Sequence, residues 1–232
     1  LTYSTCWYEY ANSNPRLLTD RFKGRNLALA LSLILQETFF NSLTLLAVPF
    51  GMFNPRRRLQ VRGETPILLL HGLFCNRACW LWFRLFLHNR GFRNVTTINL
   101  SSWHNEEALT ELVAKKVDEL RHQLGVDKVH LVGHSMGGII ARNYIQLRGG
   151  ANKVDQCITL GSPHQGSKLS PLSIARLGLV LMPGSDFLRR LNAAPVPPEV
   201  GFTWIYTRKD NMVVPNGNNL LAWGKIVELD NI

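Results

Sequence analysis

"VHLVGHSMGGIIARNYIQL", residues 129–147, places a serine between a short apolar run and a helix-like stretch. Val129 to Val132 has the length and character of a buried strand, and Ile139 to Leu147 continues as a helix. Between them stand Gly133, His134, Ser135, Met136, Gly137 and Gly138. A serine perched on so sharp a turn needs neighbours without Cβ atoms. They permit unusual backbone angles and let strand and helix approach closely. In this setting G-x-S-x-G is a nucleophile elbow, which holds the Ser135 hydroxyl clear of the carboxyl edge of a sheet. The reading is a serine hydrolase, or a descendant of one.

The flanking sequence agrees with that fold. Pro66 to Leu70 is a continuous apolar run, as in a strand buried on both faces. Trp80 to His88 reads as a helix, and Val95 to Leu100 as the next strand. Leu109, Leu112, Val113, Val117, Leu120 and Leu124 repeat at helical spacing until Gly125 ends the pattern. Further strands are expected at 128–132, 154–160, 202–207 and 224–229. Alternating strands and helices predict an α/β fold, a mostly parallel sheet with helices on both faces.

Two parts are expected: an N-terminal helical segment, 1–64, and a catalytic domain, 65–232. The segment contains "LALALSLILQETFFNSLTLLAVPFGMF", residues 27–53, long enough to cross a bilayer but interrupted by Gln36 and Glu37. Glu37, Asn41 and Thr44 fall on one helical face. Two alternatives stay open: residues 27–58 meet a membrane surface, or they pack on the catalytic domain. The net charge of +10 suits an anionic surface. No nucleic-acid module accompanies it, so lipid is the favoured partner. The four cysteines, Cys6, Cys75, Cys79 and Cys157, lack zinc spacing, and neither metal nor cofactor is expected.

A serine hydroxyl needs a base, a carboxylate to orient that base, and donors for the oxyanion. One donor is expected from the N–H of the residue after the nucleophile, Met136. The second is expected from the loop His71-Gly72-Leu73-Phe74, with Leu73 as the donor.

"PILLLHGLFCNRACW", "VHLVGHSMGGIIARNYI", "ITLGSPHQGS" and "YTRKDNMVVP" occur in that order. From about Thr65 onward the chain resembles small bacterial triacylglycerol lipases and related esterases of the α/β-hydrolase superfamily. The resemblance implies ester hydrolysis through an acyl-serine, on an ester or lipid substrate, with Asp210 as the triad acid. It also implies a bacterial protein, cytoplasmic or associated with the inner membrane. Asp210 stands on its own too: it follows a strand, and it comes after Ser135 in the order such enzymes use. Asp186 and Asp230 are the weaker alternatives.

The base is the gap. The histidines are His71, His88, His104, His122, His130, His134 and His164, and none follows Asp210. His71 and His134 are expected to shape the site, and His164 to lie near it without acting as base. Such lipases carry a Gly-His pair after a late strand. "KIVELDNI" resembles that strand, which places the expected histidine about two residues past Ile232. The alternatives are lipid head-group deacylation, acyl transfer, and a non-catalytic membrane-associated scaffold. Residues 168–200 are expected either to wall an acyl pocket or to pack on the sheet.

Overall fold

Ile67–Leu70 is buried at all four positions and forms β1, the strand around which the sheet is laid. In a computed structural model describing residues 24–52, 61–208 and 210–229, five more strands join it. These are β2 (Val95–Ile98), β3 (Val129–His134), β4 (Val154–Leu160), β5 (Gly201–Tyr206) and β6 (Lys225–Glu228). Their order is β2-β1-β3-β4-β5-β6, and every pairing is parallel. The chain therefore leaves β1 to one side and β3 to the other. That reversal opens a crevice beyond the carboxyl ends of β1 and β3, where parallel α/β sheets bind ligands. The loop after β1 carries Leu73, and the turn after β3 carries Ser135.

The helices cover the sheet as the pattern of leucines predicts. After α1 (Gly24–Met52) come α2 (Leu81–Asn89), α3 (Glu106–Leu124), α4 (Met136–Leu147), α5 (Arg176–Val180) and α6 (Asp186–Ala193). Asn105 caps α3 by accepting from the Ala108 N–H, and Gly125 closes it in the left-handed conformation at φ 65°. Leu109, Val113, Val117, Leu120 and Leu124 face the core from α3. At roughly 2 kcal/mol each, their burial contributes about 10 kcal/mol of transfer free energy. From Met136 to Ile145 every residue of α4 is buried, so the helix that begins at the nucleophile lies at the centre of the packing.

In residues 168–200, Leu177, Leu181, Phe187, Leu188 and Leu191 join the main core, which is the sheet-packing alternative. Leu172, Ile174 and Leu179 remain exposed.

Among the described residues no helix is long and apolar enough to cross a membrane. The interruption at Gln36 and Glu37 outweighs the length of the run. Of the polar face expected at Glu37, Asn41 and Thr44, only Thr44 has a described side chain, and its hydroxyl donates back to the Phe40 carbonyl at 2.9 Å. Contact with the catalytic domain is made at the helix's far end. Asn76 Nδ2 donates to the Val48 carbonyl at 2.8 Å, and Asn99 Nδ2 to the Gly51 carbonyl at 3.1 Å. Upstream, Leu31, Leu35, Phe39, Phe40, Leu45 and Leu46 are exposed.

Candidate active site

Ser135 has φ 51° and ψ −121°, a strained conformation for a residue with a side chain. Its own N–H donates to the Leu160 carbonyl at 2.9 Å, tying the elbow to the end of β4. The glycines answer to close approaches. A Cβ on Gly133 would lie 2.4 Å from the Gly138 nitrogen, and one on Gly137 would lie 2.3 Å from the Leu70 carbonyl oxygen. A Cβ on Gly138 would meet the Ser162 hydroxyl at 2.2 Å. On Gly72 it would stand 3.1 Å from Ser135 Cβ and 3.0 Å from His134 Nδ1. These contacts press the β1 loop directly against the nucleophile.

That closeness gives the backbone amides their meaning. Among the described residues the N–H groups of Leu73 and Met136 have no hydrogen-bond partner. Met136 opens a twelve-residue helix, whose N-terminus attracts negative charge. The loop is held open one residue later. Phe74 takes φ 57°, and its N–H donates to the Ser102 hydroxyl at 2.8 Å. Ser102 had no signal in the sequence, because its role depends on a loop from the next strand.

The histidines fall into place by their partners. His71 is buried; Nδ1 donates to the Gly72 carbonyl and Nε2 accepts from the Leu100 N–H, each at 2.8 Å. This bonding fixes a neutral tautomer, and burial, with Arg77 nearby, lowers its pKa. His164 is likewise occupied at both nitrogens. Arg142 donates to Nδ1 at 3.3 Å, and Nε2 donates to the Thr159 hydroxyl at 3.0 Å. Desolvation, with the Arg142 charge beside it, holds His164 well below its ordinary value. Neither ring has a free nitrogen with which to take the Ser135 proton. His134 flanks Ser135, its ring 6.4 Å from that of Trp80. Desolvation by surrounding protein lowers its pKa, and His71 adds to the effect. His130 faces Asp155 at 3.5 Å and is only partly buried. His88 and His122 are exposed on their helices.

Asp210 lies on the loop after β5. Its Oδ1 accepts from the Met212 and Val213 N–H groups at 2.8 and 3.0 Å, and Oδ2 accepts from Asn219 Nδ2 at 3.4 Å. A Cβ on Gly161, the residue after β4, would sit 3.2 Å from Oδ2. Asp210 and Ser135 thus stand at the same edge of the sheet, with the end of β4 between them. Ser167 steadies this loop: its hydroxyl donates to the Met212 carbonyl at 2.7 Å and accepts from the Val214 N–H at 3.1 Å. Of the alternative acids, Asp186 opens α6 and pairs with Arg189 at the surface, and Asp230 lies outside the described residues.

Arg142 escaped sequence reasoning. It is fully buried and bonded to Gln146, His164, the Leu191 carbonyl and Asn192, with burial lowering its pKa to about 10. A helical arginine gives no sign of this until the 161–166 loop folds over it. Among the described residues no group of three or more His, Cys, Asp or Glu is placed to hold a metal.

Comparison with known proteins converges on the same fold. A triacylglycerol lipase of Pseudomonas fragi is 29% identical over 129 residues, 53% of this chain and 42% of the lipase. One from Pseudarthrobacter phenanthrenivorans is 29% identical over 114 residues, 45% of this chain and 35% of that protein. The chain thus matches well under half the length of these relatives. A mature lipase of Bacillus licheniformis superposes with a TM-score of 0.61 at 18% identity, covering 74% of this chain and 89% of that one. A monoacylglycerol lipase of Paleococcus ferrophilus gives 0.56 at 15% identity, over 72% and 86%. This is the α/β-hydrolase fold expected from the elbow. The palmitoyl protein thioesterase family pattern matches residues 66–193, which hold the β1 loop and the elbow and stop short of Asp210. On that match across more than half its length, the chain belongs to the palmitoyl protein thioesterase family.

Proposed function

We propose that this chain hydrolyses carboxylic esters with a lipid-like acyl group through an acyl-serine intermediate. The observation that carries the reading is the elbow itself. Ser135 is held at positive φ, beside the amides of Leu73 and Met136, which have no partner among the described residues. In this mechanism Ser135 Oγ attacks the carbonyl carbon while a histidine base takes its proton. The carbonyl oxygen becomes an oxyanion and accepts from the two amides. The C–O bond to the leaving alcohol then breaks as the histidine returns the proton to it. Water attacks the acyl-serine by the same route and releases the carboxylic acid.

Asp210 orients the base, and the base itself arrives on the loop following β6. Two features support that placement. Strand β6 pairs with β5, the strand whose loop carries Asp210, and the Leu229 N–H donates to the Tyr206 carbonyl at 2.8 Å. The end of β6 therefore opens beside the acid. The family match favours a second reading of the substrate, a fatty acyl thioester, since the same nucleophile and oxyanion donors serve either leaving group. In the same proposal, residues 27–58 meet a membrane surface through the exposed apolar side chains of α1.

Fluorophosphonate labelling of Ser135, in a chain extended past Ile232, tests the chemistry. Labelling that disappears in Ser135→Ala is expected. An extended protein that carries a histidine soon after Ile232 and still fails to label would sink the hydrolase reading and favour a scaffold. Parallel assays on a p-nitrophenyl ester and an acyl thioester separate the two substrates.

A further inference from the structure

Helix α2 carries an apolar stripe on the side turned away from the sheet. Phe83 and Leu87 pack inward against the cluster of Ile67, Leu69, Trp80 and Val132, whereas Leu81, Trp82, Leu85 and Phe86 are exposed, Trp82 at 68%. No residue of this nine-residue helix is fully buried. A helix apolar on both sides lacks the polar outer face that a water-facing helix requires. The stripe also begins at the site. Trp82 is two residues from Trp80, whose ring lies 6.4 Å from that of His134. At the same edge, Phe74, the neighbour of Leu73, pairs edge-on with Trp103 at 6.5 Å, and both rings are exposed, Trp103 at 70%.

Charge accompanies the apolar surface. Between 65 and 105 there are four arginines and no acid. Arg90 lies over the Phe86 ring at 4.8 Å, keeping a cation beside the stripe. Aromatic rings flanked by arginines, without carboxylates, match the headgroup region of an anionic bilayer. There rings sit at the acyl boundary and cations meet lipid phosphates.

We propose that the outer face of α2, with Phe74 and Trp103, docks the catalytic domain on an anionic lipid bilayer and brings the mouth of the Ser135 site to that surface. This contact belongs to the catalytic domain itself, in addition to α1. It draws its purpose from the lipid-substrate reading above, and its test reads binding rather than turnover.

The full chain is sedimented with sucrose-loaded vesicles of phosphatidylcholine alone or with about 30% phosphatidylserine. Preferential binding to the anionic vesicles is expected, weakening at high salt. Trp82→Ser with Phe86→Ser should reduce partition roughly ten-fold. Arg90→Gln with Arg93→Gln should reduce the anionic preference. A second readout isolates α2 from α1: lipids with brominated chains should quench tryptophan emission in the bound protein. The quenched component should fall in Trp82→Phe. Circular dichroism of each variant should remain that of the parent chain.

Unchanged partition in the Trp82/Phe86 variant overturns the proposal. So does unchanged quenching in Trp82→Phe, or parent-chain binding that ignores lipid charge. A dimer that dissociates in the double variant while vesicle binding persists would assign the face to a second copy of the chain instead. A chain that binds as expected but hydrolyses nothing leaves this inference standing and removes the catalytic one.

Discussion

Replacing Gly137 by alanine probes the contact on which the site's geometry depends. The added methyl would lie 2.3 Å from the Leu70 carbonyl oxygen, 2.7 Å from its carbon and 2.8 Å from the His71 carbonyl oxygen. All three are backbone atoms of β1 and its loop, so no side chain can swing aside. Ordinary contact begins near 3.4 Å, and helix α4 must therefore withdraw from β1 by about 1.1 Å. The stability cost is that of forced overpacking, about 1–3 kcal/mol. The cost in rate is separate. Met136 and Ser135 travel with α4, whereas Leu73 travels with β1, so the two proposed oxyanion donors part. A misplacement of about 1 Å is worth roughly a hundred-fold in rate. The assay is urea unfolding together with fluorophosphonate labelling of the extended chain, with Gly217→Ala as control. A Cβ on Gly217 meets nothing within 4 Å, and that variant should stay within about 0.5 kcal/mol of the parent. If Gly137→Ala labels at the parental rate and unfolds at the parental urea concentration, this glycine does not set the distance between the proposed donors.

Ser135→Gly should abolish labelling and yet raise stability by about 1 kcal/mol, because glycine takes φ 51° without strain; a fall in the urea midpoint would contradict this. Asp210→Asn should keep its loop, since the amide oxygen can still accept from Met212 and Val213, while hydrolysis in the extended chain drops roughly 10³–10⁴-fold. An equal drop with a collapsed unfolding midpoint would mean that the residue is structural. Acid should destabilise the fold. His71 and His164 have pKa values lowered from the ordinary 6.5, so the unfolded chain binds more protons than the native one once pH falls below that value. Stability present above pH 6.5 is then lost on acidification, by up to about 1.4 kcal/mol per histidine per pH unit. A urea midpoint that stays level from pH 7 to pH 5 would refute it.

Strand and helix periods were legible because they follow from local alternation of apolar residues. The helix expected from Leu109 to Leu124 is α3, and the strand expected at 154–160 is β4, without adjustment. The elbow was legible for a sharper reason. Few residue patterns allow a serine at positive φ between a strand and a helix, and glycines at 133, 137 and 138 satisfy that restriction locally. The burial of Arg142, the anchoring of Phe74 by Ser102 and the bracing of the Asp210 loop by Ser167 were not legible. Each rests on polar contacts between residues more than twenty positions apart, and nothing in the local sequence marks such a pair.

The same division applies to the chemistry. The residues alone specified the glycine-flanked turn at Ser135, because backbone sterics dictate which side chains such an elbow tolerates. Only the folded sheet decided that His71 and His164 are neutral, fully bonded supports. A ring nitrogen's availability depends on what surrounds it in space, and here the Leu100 amide and the Arg142 guanidinium occupy those nitrogens. The tertiary arrangement likewise decided that α2 has two apolar faces, since only its packing against the sheet shows which face is already covered.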